Sequence, residues 1–399
     1  MKDLKVVMMG LGYIGLPTAA LIASRGVQVQ GVDVNQSVVN TINDGKIHII
    51  EPALDGLVKN VVDKGFLLAS TSPEKADVYL IAVPTPFKGN YEPDLKYVES
   101  ATRMIIPKLR EGNLFIIEST SPVGTTDKMA KIIFDLRPEL EGKIDIAYCP
   151  ERVLPGKVIY ELENNDRVIG GIDDKSTKSA QNFYRNFVKG DLHPTKAKTA
   201  EMCKLVENSS RDVSIAFANE LSIICEKADI NVWELITLAN KHPRVNILQP
   251  GTGVGGHCIA VDPWFIVSEF SKDAKIIKKA RQINDYKTDW VIEKIRSTVL
   301  QFELDNNIKP TIALMGLAFK PDIDDLRESP ALKVAESLIA ENKYNLLLVE
   351  PNLDASEEYD LTDYNDLKFR ADIIVYLVAH KQFKGFKADA IELDFCGVK

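Results

Sequence analysis

The stretch that most limits how this chain folds is "LKVVMMGLGYIGLPTAALIASRGVQVQGVD", residues 4–33. A short Val-rich apolar run reads as a strand, and three glycines in G-x-G-x-x-G order follow it. An Ala- and Leu-rich helix then runs to Gly26, and "VQVQGVD" reads as a second strand. Each glycine has a separate reason in such a unit. Gly10 permits the tight turn, Gly12 lets backbone approach a pyrophosphate, and Gly15 allows the helix to pack closely on the strand. The helix N-terminus then faces the phosphates, with Tyr13 and Ile14 as further contacts within the loop. Asp33 ends the second strand, where a carboxylate grips ribose hydroxyls. Together these residues predict a dinucleotide-binding βαβ unit. Asp33 would repel a 2′-phosphate and "VDVNQ" carries no arginine, so NAD is favoured over NADP.

Further strands are expected at "VYLIAV" (78–83), "LFIIES" (114–119) and "IDIAYCP" (144–150), with helical patterns between them. Such alternation implies a parallel, doubly wound α/β sheet. Near residue 197 the texture changes. Residues 198–230 have helical spacing and no strand signal, and more helix is expected over 231–241 and 262–300. Strand signals return at "TIALMG", "NLLLVE" and "DIIVYLV", with a helix opening at Ser329-Pro330. The predicted organisation is two Rossmann-like domains joined by an all-helical domain: 1–197, 198–302 and 303–399. The sequence shows no relation between the two α/β domains.

Apolar residues make up 45% of the 399, enough for ordinary cores. The net charge of −8 and the lack of a Lys/Arg cluster argue against a nucleic-acid partner. No run of 18 apolar residues suggests a membrane span, and the N-terminus does not read as a signal peptide. Five scattered cysteines fit a reducing cytoplasm better than a disulfide framework.

Three clusters carry candidate chemistry. "GTGVGGHCIAVD" (251–262) sets Cys258 among glycines, with Asp262 four residues on and His242 and Arg244 ahead of it in "KHPRVN". A buried cysteine acting as a small hydrophobe is the ordinary alternative. Glycines at 251, 253, 255 and 256 instead suggest backbone wrapping closely around a ligand. A zinc site is not read, since His257, Cys258 and Asp262 do not match a usual ligand set. The second cluster is Lys204, Asn208 and Arg211, at i, i+4 and i+7 on one helix face; a solvated charged face is the alternative. The third is "GLAFKPDIDDLRESP" (316–330), where Lys320 and Arg327 follow a strand and suggest a phosphate or nucleotide site, or merely a charged loop. "AVPTPF" and "ESTSPVG" lie just beyond two strand ends, where such sheets bind ligands.

These motifs, with "KLVEN" and "PERVLPGK", resemble the UDP-glucose/GDP-mannose dehydrogenase family, in the family's order and over essentially the whole chain. The branch acting on UDP-N-acetyl-D-mannosamine is most similar; UDP-N-acetylglucosamine and UDP-glucose are the alternatives. The resemblance implies NAD as cofactor, a UDP-sugar as substrate, and four-electron oxidation of the sugar's C6 alcohol to a carboxylate. An aldehyde has no second hydride to give until something adds to it. Cys258 would add, giving a thiohemiacetal and then a thioester that water hydrolyses. Lys204 would stabilise the developing oxyanion, Asn208 would orient that oxygen, and Asp262 would position Lys204 and a water. Thr120 would hold the catalytic water beside NAD, and Glu151 would face the thioester. Thr85 and Arg327 would contact the cofactor. Arg211, His242, Gly255 and Lys320 would contact substrate, and Arg244 would reach it across a homodimer interface. One departure stands out. Family members acting on UDP-glucose carry a second glutamate where this chain has Pro155, so water activation falls to Glu151 or to a Lys204–Asp262 pair. Arg152 and Val153 would then shape the sugar pocket.

A two-electron hydroxy-acid dehydrogenase would need neither the cysteine nor a second nucleotide domain, and a non-catalytic NAD binder would need none of the clusters. The fingerprint itself is open to test. Asp33→Ala is expected to raise the Kd for NAD by about 10-fold or more, the loss of one charge-assisted hydrogen-bond pair; an unchanged Kd by calorimetry removes Asp33 from the ribose.

Overall fold

The computed structural model describes residues 4–89, 91–153, 156–256, 258–353 and 358–399; Pro155 and His257 therefore lie outside the described residues. The chain divides into two compact units, Met1–Val206 and Glu207–Lys399. Among the described residues no helix is long and apolar enough to cross a membrane.

In the first unit the strands are β1 (Lys5–Met9), β2 (Gln28–Val32), β3 (Leu67–Ser70), β4 (Val78–Ile81), β5 (Phe87–Lys88), β6 (Glu92–Pro93), β7 (Leu114–Ile117), β8 (Asp145–Tyr148), β9 (Arg167–Gly171) and β10 (Leu192–Lys196). The helices are α1 (Gly15–Ser24), α2 (Gln36–Asn43), α3 (Leu54–Asp63), α4 (Lys96–Ile105), α5 (Thr125–Leu136), α6 (Val158–Asn164) and α7 (Asp174–Tyr184), and α8 (Ala197–Lys227) begins in this unit. The main sheet runs β10-β9-β8-β7-β4-β1-β2-β3, and β5 and β6 form a small hairpin. The strand period of two sorts the core. Val6 and Met8 face one apolar layer and Val7 and Met9 the other. Helices cover both faces, which is why these strands are apolar on both sides.

The expected sheet was wholly parallel. Instead β8 and β9 pair antiparallel, with Ala147 opposite Gly171 and Tyr148 opposite Gly170. β3, β9 and β10 were also not foreseen. "LHPTK" of β10 is largely exposed and polar, and "RVIGG" of β9 carries two glycines. The glycines are there for space: a Cβ on Gly170 would lie 2.4 Å from the Lys196 carbonyl oxygen.

The second unit holds the rest of α8, then α9 (Val232–Ala239), α10 (Asp262–Glu269), α11 (Lys275–Asn306), β11 (Thr311–Met315), α12 (Pro330–Ala340), β12 (Asn345–Val349), β13 (Ile373–Tyr376) and β14 (Ile391–Asp394). A four-stranded parallel sheet runs β12-β11-β13-β14. The helix expected over 262–300 is two helices, broken between Glu269 and Lys275.

The two sheets repeat one turn, a relation that the sequence did not show. Gly10 N donates to Val32 O (2.8 Å) and Leu11 N to Asp33 Oδ2 (3.1 Å). Gly316 N likewise donates to Val349 O (2.8 Å), and Leu317 N and Ala318 N both donate to Glu350 Oε2 (2.8 and 2.9 Å). Gly10 and Gly316 sit at φ 90° and 93°, a conformation only glycine adopts without strain.

Polar bonds join α8 to α11. Buried Arg281 donates to Asp212 Oδ1 (2.7 Å), Asn284 Nδ2 to Asp212 Oδ1 (2.8 Å), and Asn219 Nδ2 to Asn284 Oδ1 (2.9 Å). Burial raises the Asp212 carboxyl, and Arg281 opposes that rise. Arg281→Met strands a buried carboxylate and is expected to cost about 3–5 kcal/mol, read as a lower urea midpoint. Arg281→Met with Asp212→Leu should recover most of the loss, and a single variant as stable as the parent contradicts this account.

Candidate functional site

The first unit presents a nucleotide-binding edge. A Cβ on Gly10 would lie 2.6 Å from Ala82 O, and one on Gly15 would lie 1.9 Å from Gly10 O. These two glycines are therefore demanded by the turn and by helix packing. Nothing lies within 4 Å of a Cβ built on Gly12, which leaves open space over the loop. No side chain caps the start of α1, so the positive end of the helix is left without a side-chain acceptor, the setting in which an anion binds. Asp33 is half-buried at the end of β2; besides Leu11 N, it accepts from Asn35 N (2.9 Å). Tyr13 is exposed and Ile14 half-buried beside it. This loop, bare helix start and terminal carboxylate fit a bound NAD: Gly12 and the α1 amides would hold the pyrophosphate and Asp33 the ribose.

Two further loops meet beyond β4 and β7. Thr85 Oγ1 donates to Thr120 O (2.7 Å), and Ser119 Oγ donates to Val83 O (2.7 Å). Both threonines are half-buried. The structure thus brings together two motifs 35 residues apart that sequence reasoning left as ordinary turns or site loops.

Beyond β8, Glu151 is buried rather than open. Its Oε2 accepts from Arg167 Nη2 (3.0 Å) and its Oε1 from Arg152 N (2.6 Å). Sequence reasoning missed Arg167, because it opens β9, a strand without a clear apolar signal. Arg152 Nη1 reaches the Asp166 carbonyl (3.4 Å), and Val153 packs against the apolar core. Glu51, also missed, anchors the same loop from the far side by accepting from Gly156 N and Val158 N (2.8 Å each).

In the second unit Cys258 is exposed, so the small-buried-hydrophobe alternative does not describe it. Its carbonyl accepts from Val261 N (3.1 Å) and Asp262 N (2.9 Å), a turn that leads straight into α10. Asp262 is buried and its Oδ2 accepts from Asn208 Nδ2 (2.6 Å). Thiol, carboxylate and amide are therefore tied into one local frame. Lys204 lies one helical turn before Asn208 on α8 and is half-buried; Arg211 is exposed. His242 and Arg244 are both exposed in the turn after α9, where Arg244 N approaches His242 Nδ1 (3.4 Å).

The glycines around the thiol have a nearer reason than the expected one. Built Cβ atoms would meet Thr288 Oγ1 at 2.5 Å from Gly253, Glu328 O at 2.4 Å from Gly255, and the Phe319 ring at 3.0 Å from Gly256. The thiol loop packs on "AFKPDIDDLRESP" itself. On that segment Lys320 is exposed, its Nζ 5.8 Å from the Phe319 ring centre, and Arg327 pairs with Asp325 (2.6 Å). Among the described residues no three His, Cys, Asp or Glu side chains gather as a metal site.

Comparison with known proteins fits this arrangement. Models of the UDP-glucose/GDP-mannose dehydrogenase family match in sequence: the NAD binding domain over residues 4–188, the central domain over 198–286 and the UDP binding domain over 313–394. The chain is 54% identical to the UDP-N-acetyl-D-mannosamine dehydrogenase of Campylobacter jejuni, covering 98% of this chain and 99% of that one. It is 50% identical to an NDP-N-acetyl-D-galactosaminuronic acid dehydrogenase of Ralstonia nicotianae, over 96% and 93%. Among solved structures, the UDP-D-ManNAc dehydrogenase of Pyrococcus horikoshii matches with a TM-score of 0.88 at 40% identity, over 99% and 96%. With a fingerprint fitted to NAD in one unit and an exposed cysteine framed by Asp262 and Asn208 in the other, this chain belongs to the UDP-glucose/GDP-mannose dehydrogenase family of NAD-dependent oxidoreductases.

Proposed function

We propose that the protein oxidises UDP-N-acetyl-D-mannosamine to UDP-N-acetyl-D-mannosaminuronate. The observation that carries the chemistry is the exposed Cys258 thiol, fixed by its own carbonyl one turn before Asp262. The substrate rests on the near full-length likeness to UDP-N-acetyl-D-mannosamine dehydrogenases at 53–54% identity. Overall, one alcohol, two NAD and one water give one carboxylate, two NADH and three protons.

NAD supplies a hydride acceptor at each of the two oxidations. The chain's residues do the rest. Lys204 stabilises charge on the C6 oxygen as the alcohol loses its proton, and Asn208 orients that oxygen. The Cys258 thiolate then adds to the aldehyde carbon, and the resulting thiohemiacetal loses hydride and proton to become a thioester. Thr120 holds a water, which attacks the thioester carbon. The C–S bond breaks, and its electron pair returns to Cys258. Two candidates exist for accepting that water's proton, Glu151 and the Lys204–Asp262 pair. Glu151 is favoured because its loop follows β8, which lies beside β7 in the sheet, and the β7 loop carries Thr120. Thr85 and Arg327 contact the cofactor. Arg152, Val153, Arg211, His242, Gly255 and Lys320 line the sugar nucleotide's path.

The proposed domains are NAD-binding over 1–197, helical over 198–302 and UDP-sugar-binding over 303–399. The working assembly is a homodimer in the cytoplasm, with Arg244 completing the partner's site. Its support is the exposure of Arg244 and of apolar Phe217, Ile224 and Leu238 on α8 and α9.

The decisive assay counts NADH formed per UDP-sugar, offering UDP-N-acetylmannosamine, UDP-N-acetylgalactosamine, UDP-N-acetylglucosamine and UDP-glucose separately. Two NADH per UDP-N-acetylmannosamine, with the highest kcat/KM of the four, is expected. One NADH per sugar refutes the four-electron reading, and a higher kcat/KM on another sugar reassigns the substrate. Cys258→Ser should bind NAD normally yet stop after the first hydride or at a trapped adduct; full turnover in that variant refutes the thioester.

A further inference from the structure

A buried charge network lies beneath the loops that carry Thr120 and Glu151. β9 runs against its neighbour β8, so its first residue, Arg167, arrives at the edge where β7 and β8 end. Arg167 is almost fully buried. Its Nη2 donates to Glu151 Oε2 (3.0 Å) and to the Leu162 carbonyl (3.3 Å), while Nη1 lies 3.9 Å from Cys149 Sγ. The guanidinium also stacks over the Tyr184 ring, 5.2 Å from its centre. Tyr184 Oη donates in turn to Glu118 Oε1 (2.5 Å). Glu118 lies two residues before Thr120. Arg167 thus stands between a carboxyl group on the β7 loop and one on the β8 loop.

We propose that Arg167 is a positioning residue for Glu151: it fixes that carboxylate's orientation, so that water attack on the thioester depends on an arginine that never touches substrate. The proposal rests on the reading of Glu151 as the group that takes the water's proton. A carboxyl group this deeply buried needs hydrogen-bond partners, and Arg167, equally buried, supplies one to its Oε2. The titratable groups around the Arg167–Glu151 pair are Glu118 beyond β7, Tyr184 of α7, and Cys149 and Arg152 of Glu151's own segment. Burial pushes the Cys149 thiol up to about 12 and the Glu118 carboxyl up to about 7, and raises Tyr184 as well. Cys149 and Tyr184 therefore stay neutral at neutral pH. Burial works against the charge on Arg167, and the carboxylate of Glu151 above all offsets it. The cation is held in place, and Glu151 is its hydrogen-bonded carboxylate.

The test uses the full-length enzyme with NAD and UDP-N-acetylmannosamine in rapid-mixing experiments. Arg167→Met should leave the Kd for NAD within about 2-fold of the parent and should still form two NADH per site in a fast phase. Steady-state turnover should then fall by about 10²-fold, the lower end of what a general base contributes. The sugar adduct should accumulate on the Cys258 peptide, seen by mass spectrometry. A parental turnover rate, or hydride phases slowed as much as turnover, overturns the proposal. Arg167→Lys keeps the cation but not the guanidinium's added bond to the Leu162 carbonyl, and serves if the Met variant does not fold. It should lower kcat about 10-fold with the fast phase intact; a parental kcat in it overturns the proposal equally. Glu151→Gln separates the two levels. Parental turnover in Glu151→Gln refutes the role of Glu151 itself, whereas a crippled Glu151→Gln beside unaffected Arg167 variants refutes only the role of Arg167.

Discussion

A left-handed turn directly after the first strand is the constraint on which both sheets depend. At Gly10 and at Gly316 the chain leaves a central strand, and its next amides must find acceptors while buried. In each case the following strand supplies them, through a backbone carbonyl and an acidic side chain. What differs is the fate of the acid. Asp33 is half-buried and remains at the open edge. Glu350 is buried and accepts additionally from His380 Nε2 (3.0 Å), whose Nδ1 accepts from Asp322 N (2.9 Å). Burial tends to raise Glu350, but its bonds to His380 and to the Leu317 and Ala318 amides overcome that and hold it low. One turn thus leaves its carboxylate at the open edge, and the other uses it to close the protein's own loop.

The same economy of buried charge appears where β8 ends. An antiparallel strand at that point has a specific consequence. It brings the start of a strand, rather than its end, to the edge where ligands bind, and with it Arg167. A single guanidinium then links loops from two neighbouring strand ends. Glu51 holds the far side of the β8 loop through two backbone amides. The Glu151 segment is therefore fastened at both ends by charged groups that face the protein interior.

Much of this was legible in the chain. The strands β1, β2, β4, β7, β8, β11, β12 and β13 are short apolar runs flanked by turn residues, and each lies where its pattern put it. Helix α8 was legible because its 31 residues contain neither glycine nor proline. β9 and β10 were not legible. Their stability comes from pairing and from glycine space against Lys196, and neither leaves a period-two apolar pattern. The site shows the same division. Cys258, Asp262 and Asn208 were named from residue type and spacing, but Arg167 and Glu51 act on residues 16 and more than 100 positions away.

The sequence by itself determined that a dinucleotide-type turn opens the chain, that two α/β regions flank a helical one, and that a thiol sits in a glycine loop. Those features are local: a turn needs φ above zero, a strand needs a run of apolar residues, and a helix needs the absence of breakers. Only the tertiary structure decided what the local rules leave free. It pressed the glycine loop onto Phe319 and Glu328, turned β9 against its neighbour, and assigned Arg167 to Glu151 rather than to solvent. The physical reason is that a buried charge or a close backbone approach is priced by whatever the fold brings beside it, and that neighbour is not encoded within any one stretch of chain.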